Sequence, residues 1–227
     1  VARHIAEIRG LLSQAIRPFM PMQSFDSPSP QALADPVDLI REVAITGYYP
    51  VLTWTAYLLA GLGIGRLALG NPRVQRAVLL TGAALAVGAW SVSWWLLHPG
   101  GVLQELEAAG AAGTPLADRA IETAVTTSFY GTTPTSTWWW LAVAAPHSGS
   151  PFDLLHTIGT SCVVLGAMLL LTRVAAPLLL PFAAIGSMTF TLYTLHVVLL
   201  STALPRTVPD AFLWHVLIAM AIAVPWR

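Results

Sequence analysis

The chain has 227 residues, 56% of them hydrophobic and only 10% charged, with a mean hydropathy of +0.68. Soluble domains carry about 25% charged residues, so an ordinary soluble domain is disfavoured and a membrane protein is the first reading. The formal net charge of zero argues against a nucleic-acid partner, and the single cysteine, Cys162, excludes an internal disulfide.

All 11 basic residues are Arg, a composition that suits a GC-rich bacterial genome. No cleavable signal peptide is visible. The chain opens on Val1 and stops at Arg227 just after an apolar run, which predicts a piece of a longer protein. Residues 1–44 form an extracytoplasmic segment. It begins with an amphipathic piece, breaks at the loop "SFDSPSPQALADP", and ends in a short helix, Val37 to Val43. The first apolar run extends from Ile45 to Gly65 and the second from Ala77 to Leu97, so residues 45–97 read as a two-helix transmembrane hairpin. Residues 98–153 are an outer segment rich in Gly, Ala, Thr and Pro. Its apolar stretch Trp138 to Ala145 is too short to cross a bilayer and reads as interfacial or re-entrant. Residues 154–227 hold three further runs: Leu154 to Thr172, Leu178 to Leu204, and Ala211 to Val224. A helix needs roughly 20 residues to cross about 30 Å of hydrocarbon. The first four runs meet that length; the fifth is short. The expected fold is therefore all-α, a polytopic transmembrane helix bundle of about five spans.

Orientation follows from the arginines. The connections at 66–76 and 173–177, with Arg227, carry five Arg and no acid, whereas the other face carries six Arg and all 11 acids. The first face is expected to be cytoplasmic in a multi-pass plasma-membrane protein, with 98–153 extracytoplasmic. Trp54, Trp94, Trp95, Trp138, Trp139, Trp140 and Trp214 fall near the outer interface, and Trp226 near the inner one.

The glycines of "AGLGIG" have neither the spacing nor the context of a nucleotide loop. Gly61 and Gly65 lie four residues apart, which predicts a close helix–helix contact there. Arg66, Arg73, Arg76 and Arg173 line the cytoplasmic side. They read either as topology signals or as a clamp for a phosphate-bearing donor. Asp153 and His156 share a helix face at the mouth of the third run, with His147 just ahead. Asp153 fits a helix N-cap or an orienting partner for a His156 base. His196 sits inside the fourth run with Tyr193 one turn away, and an ionisable residue inside a span is a functional-site candidate. If the two runs are antiparallel neighbours, His156 and His196 could face one outer cavity. No metal is expected.

Three strings together resemble a known family: "TGYYPVLTWTAYLLAGLGIGRL" (46–67), "WWWLAVAAPHSGSPFDLLHTIGT" (138–160) and "PFAAIGSMTFTLYTLH" (181–196). The family comprises actinobacterial polytopic membrane proteins related to heparan-α-glucosaminide N-acetyltransferase, within the transmembrane acyltransferase superfamily. The resemblance implies an acyltransferase that takes an acyl group, an acetyl above all, from acyl-coenzyme A in the cytoplasm. It would pass that group to an extracytoplasmic glycan or similar acceptor. His147, Asp153, His156 and His196 are the outer-side candidates it points to, and Arg66 matches its "GR". The family's acyl-transfer histidine and Asp-x-x-Arg-Gly belong to its first helices; "AEIRG" at 6–10 departs from that motif. The resemblance therefore leaves open whether the principal catalytic residue lies in this chain. Expected partners are the bilayer, the acceptor, and a homo-oligomer or membrane complex. The alternative readings are a carrier or flippase without covalent chemistry, and a scaffold subunit.

Overall fold

The computed structural model describes residues 30–47, 49–110, 121–127, 129, 133–202 and 211–226. The amphipathic piece, "AEIRG" and the end of the fourth run lie outside them. Among the described residues every regular element is helical. The chain divides into two compact units, Val1–Ala167 and Met168–Arg227.

In the first unit, helix α1 (Pro36–Arg41) forms where the loop sequence expects it. Asp35 caps it by accepting the Asp38 N–H at 3.0 Å, Pro36 occupies the first turn, and Asp38 pairs with Arg41. A π-helical turn, Glu42–Thr46, follows and closes on Gly47, whose N–H donates to the Glu42 carbonyl at 2.7 Å. Gly47 is extended and Pro50 begins the next helix from an extended conformation. Proline has no N–H to continue a helix and biases the residue before it away from helical angles. Helix α2 is therefore Val51–Gly65, 15 residues, rather than the 45–65 expected. Its length of about 22 Å falls short of the hydrocarbon thickness.

Helix α3 (Pro72–Leu97, 26 residues) starts at an Asn71 cap that accepts the Arg73 N–H at 2.9 Å. Buried Gln75 holds the preceding turn by donating to the Leu69 carbonyl at 2.7 Å. Helix α6 (Pro151–Ser187) packs on α3 through glycines. A Cβ added to Gly159 would lie 2.5 Å from Ala86 N; one added to Gly82 would lie 2.6 Å from Cys162 Cβ; one added to Gly166 would lie 2.8 Å from Leu79 N. Backbones this close permit only small residues at the seam. The seam is not where "AGLGIG" suggested. A Cβ on Gly61 or Gly65 meets nothing within 4 Å among the described residues.

Between α3 and α6 the described residues of 98–150 build a cap with its own core. Helices α4 (Val102–Ala109) and α5 (Ile121–Thr126) and a 3-10 turn, Trp138–Ala142, enclose Leu106, Ala124, Phe129, Trp140 and Val143. The Trp triplet is split. Trp138 and Trp139 are 62% and 46% exposed, whereas Trp140 is 1% exposed, edge-on to Phe129 at 5.9 Å, with its N–H on Ser136 Oγ at 3.1 Å. Trp140 thus belongs to the cap core and not to an interfacial row.

Helices α3 and α6 are each long and apolar enough to cross a membrane. Only 28% and 11% of their apolar windows are buried within the protein, and Leu80, Val87, Trp90, Val164 and Leu171 stand exposed. The core helix of a soluble domain would be mostly covered, because burying that surface is what stabilises it. Helical rise separates Arg73 from Trp94 by about 30 Å, the thickness of a hydrocarbon core. The apolar helices at 51–65, 189–199 and 213–226 are shorter.

Helix α6 leaves helical geometry at Ala175 (φ −133°, ψ 33°), two residues before Pro177, which cannot donate to the Arg173 carbonyl. The expected break between the third and fourth runs falls here. The chain resumes helix to Ser187 instead of forming a loop, then turns at Met188 into α7 (Thr189–Thr202). In the second unit Ala184, Leu192 and Ala223, the last on α8 (Ala211–Trp226), form a small core with Ile185, Met188 and Ala219.

Candidate functional site

The site is built on the turn that ends the cap and starts α6. The Ser148 N–H donates to the Ala145 carbonyl at 3.2 Å, with Pro146 and His147 between them. Proline fixes the second position of such a turn, and the third has φ +60°, a left-handed angle occupied here by His147. Glycine is the usual residue at that angle. On one side the turn is tied to the cap, where the Phe129 N–H donates to the Pro146 carbonyl at 2.8 Å.

On the other side lies the α6 N-terminus. Ser150 Oγ accepts the Asp153 N–H at 3.0 Å and donates to the Val143 carbonyl. Asp153 Oδ2 reaches back to accept the Gly149 N–H at 3.0 Å, and its Oδ1 accepts from Thr157 Oγ1 at 3.3 Å. This is a variant of the capping box: Asp replaces the usual Glu and reaches Gly149, one residue before the Ser150 cap, while the Ser150 N–H donates to Ser148 Oγ at 3.3 Å, and Pro151 occupies the first helical position. It answers why a buried carboxylate stands at the mouth of an apolar helix. Both oxygens have donors, and the helix N-terminus favours negative charge.

Two aromatic residues meet His147, and a third packs on one of them. The His147 imidazole stacks on Trp54 at 5.7 Å and 29° and meets Tyr49 edge-on at 6.0 Å. Trp54 touches Tyr49 at 4.8 Å and Tyr57 at 5.2 Å. The Tyr57 phenol bonds to Thr157, and both Tyr57 and His147 lie within electrostatic reach of Asp153. His147 and Asp153 are thus brought together with an aromatic wall from α2.

His156 lies one turn further into α6 and has a different anchor. Its Nδ1 is 3.0 Å from the Ala86 carbonyl of α3. A carbonyl only accepts, so Nδ1 carries the hydrogen and, in the neutral ring, Nε2 is left as the acceptor. The tautomer is therefore set by Ala86, while the Asp153 carboxylate is engaged by Gly149 and Thr157.

Comparison with family models, curated proteins and solved structures finds no match.

The remaining candidates lie elsewhere. His196 and Tyr193 belong to the second unit, where His196 meets His215 of α8 edge-on at 4.6 Å and Tyr193 is exposed. Arg66, Arg73 and Arg76 are exposed around the α2–α3 turn. Arg66 and Arg76 reach their own helices at Leu62 and Pro72, 3.4 Å in each case. Arg173 is exposed in the second unit. Among the described residues no three His, Cys, Asp or Glu side chains gather as a metal-binding group. The sequence pattern does not single out Tyr49, Tyr57 or His215, and it marks Trp54 only as an interfacial residue. Trp54 and Tyr57 are three apart, one helix face, and His215 interrupts an apolar run as His196 does.

Proposed function

We propose that the chain is part of a multi-pass membrane acyltransferase whose acceptor side is the His147 turn. The observation that carries this reading is His147 itself. A histidine holds a left-handed turn position that glycine would occupy at less cost, stacked on Trp54 and within electrostatic reach of the Asp153 carboxylate.

The chemistry suits that arrangement. An acceptor hydroxyl or amine attacks the acyl carbonyl and its proton passes to the imidazole. The bond from the acyl carbon to its carrier breaks, and the imidazolium returns the proton to the leaving group. Asp153 stabilises the imidazolium while it exists. The carrier is the sulfur of coenzyme A or a residue acylated from it. Arg66, Arg73 and Arg76, without an acid among them, suit the phosphates of acyl-coenzyme A on the cytoplasmic side. Arg73 lies about 30 Å from Trp94 along α3 by helix rise, so donor capture and acceptor attack occupy opposite ends of that helix. The acyl group crosses between them.

The test uses the full chain in liposomes with radiolabelled acetyl-coenzyme A and an aminosugar acceptor. Label should pass to the acceptor, and His147→Gln should lower the rate at least 100-fold in protein that still unfolds cooperatively, at a temperature lowered only by the lost ring contacts. Acetyl-coenzyme A that is neither bound nor consumed would retire the reading in favour of a carrier or a scaffold.

A further inference from the structure

The exposed indoles at the cap end and the His147 turn are fixed to each other. Ser93, directly ahead of Trp94 and Trp95 on α3, donates from Oγ to the Ala142 carbonyl at 2.6 Å. Ala142 closes the 3-10 turn that carries Trp138 and Trp139. The next carbonyl, Val143, accepts from Ser150 Oγ, and His147 lies on the chain between those two residues. Both hydrogen bonds are buried. The level of the indoles therefore sets the level of the site.

Trp94, Trp95, Trp138 and Trp139 are all exposed. Four large aromatics facing water at one end of an apolar helix pair would be costly. At a bilayer surface the same residues are favoured, because the indole body meets hydrocarbon and its N–H meets headgroups. The α3 helix provides the scale, with Trp94 one hydrocarbon thickness from Arg73. His147 is then at headgroup depth. A base at that depth is reached from within the leaflet more readily than from bulk water, since lateral diffusion confines an anchored substrate to that layer.

We infer that the acceptor is lipid-borne: an amphiphile of the outer leaflet whose polar head carries the hydroxyl or amine that receives the acyl group. This rests on the acyltransferase reading and names its substrate class.

The experiment offers the full chain in vesicles two acceptors with the same head, a glucosyl diacylglycerol in the bilayer and methyl glucoside in water, with radiolabelled acetyl-coenzyme A. Transfer to the lipid should be at least tenfold faster at equal bulk concentration, and its rate should follow the lipid's mole fraction in the vesicle. Transfer to methyl glucoside at an equal or higher rate overturns the inference and leaves the acyltransferase reading intact. Transfer to neither overturns both. A second measurement needs no activity. Lipids brominated near the headgroup should quench tryptophan fluorescence more than lipids brominated near the chain end, and Trp138→Phe with Trp139→Phe should remove part of that difference. Quenching by the double variant identical to that of the parent places those indoles away from the bilayer and overturns the inference.

Discussion

Replacing His147 by Gly and by Ala separates backbone geometry from side-chain function. At φ +60° an Ala Cβ is crowded against the following carbonyl at a cost of roughly 1–2 kcal/mol. Glycine escapes that cost but loses more freedom on folding, which returns about 0.4–1 kcal/mol. The glycine variant should therefore be more stable than the alanine variant by about 1 kcal/mol, the reverse of their order in a helix or strand. Both lose the contacts with Trp54 and Tyr49, each worth about 0.5–1.5 kcal/mol. Ala should accordingly sit about 1–3 kcal/mol below the parent protein, with Gly between them or level with it. Denaturation titrations in mixed micelles measure the order, and acyl transfer is assayed on the same samples. Both variants should be inactive, since neither carries an imidazole. An alanine variant as stable as the glycine variant would refute the turn geometry. An active glycine variant would refute the role given to the ring.

The seam between α3 and α6 gives a paired test. Gly159→Ala forces a Cβ into the Ala86 backbone and should cost about 1–3 kcal/mol, whereas Gly61→Ala enters open space and should gain up to about 1 kcal/mol from helix propensity. Equal effects in a micelle titration would contradict the packing. Ser150→Ala removes the cap of α6 and strands the Val143 carbonyl, so a loss of about 1–2 kcal/mol is expected, with the first turn of α6 gaining amide exchange. Trp140→Ala should cost about 3–5 kcal/mol and loosen the cap, read as faster proteolysis between residues 98 and 150, while Trp139→Ala in detergent should leave that rate unchanged. In the second unit a double-mutant cycle on His196 and His215 should return a coupling of about 0.5–1.5 kcal/mol; additivity would deny the ring contact.

The legible part of this protein was its polarity. Apolar runs near 77–97 and 154–172 emerge as α3 and the first part of α6, because length and composition alone decide whether a helix could cross a membrane. Helix α1 was legible too, since Asp35 and Pro36 are local signals. The α2 start differs because Pro50 outweighs the apolar run that begins at Ile45. The glycine contact was assigned to the wrong helix for a different reason. Four-residue spacing occurs in "AGLGIG", but which glycines meet a neighbour depends on tertiary packing, and Gly82, Gly159 and Gly166 are scattered over two distant segments. That Asp153 belongs to a helix N-terminus is readable from its position, but the cap itself is Ser150 and Asp153 stands at the third helical residue. The partner of His156 was not readable, because the Ala86 carbonyl is 70 residues away and a backbone acceptor leaves no trace in a side-chain pattern.

These features together explain why the His147 turn is rigid enough to serve as a site. A left-handed histidine on a free loop would relax to a less crowded angle, and its base would wander. Here the chain is held on both flanks. The Phe129 N–H fixes Pro146 before the turn, and Ser148, Gly149 and Ser150 are each hydrogen-bonded after it. Those anchors rest on the cap core around Trp140 and on the α6 N-terminus, which is itself pinned to α3 by glycine contacts and by His156 on Ala86. Preorganisation of a base within a fraction of an ångström requires this kind of support from elements that do not touch substrate. His156 then contributes by holding α6 in register against α3, and its loss should weaken acyl transfer by displacing His147 rather than by removing a base. His156→Asn, whose amide can still donate to the Ala86 carbonyl, should recover more activity than His156→Ala; equal loss in both would return His156 to a direct part in the chemistry.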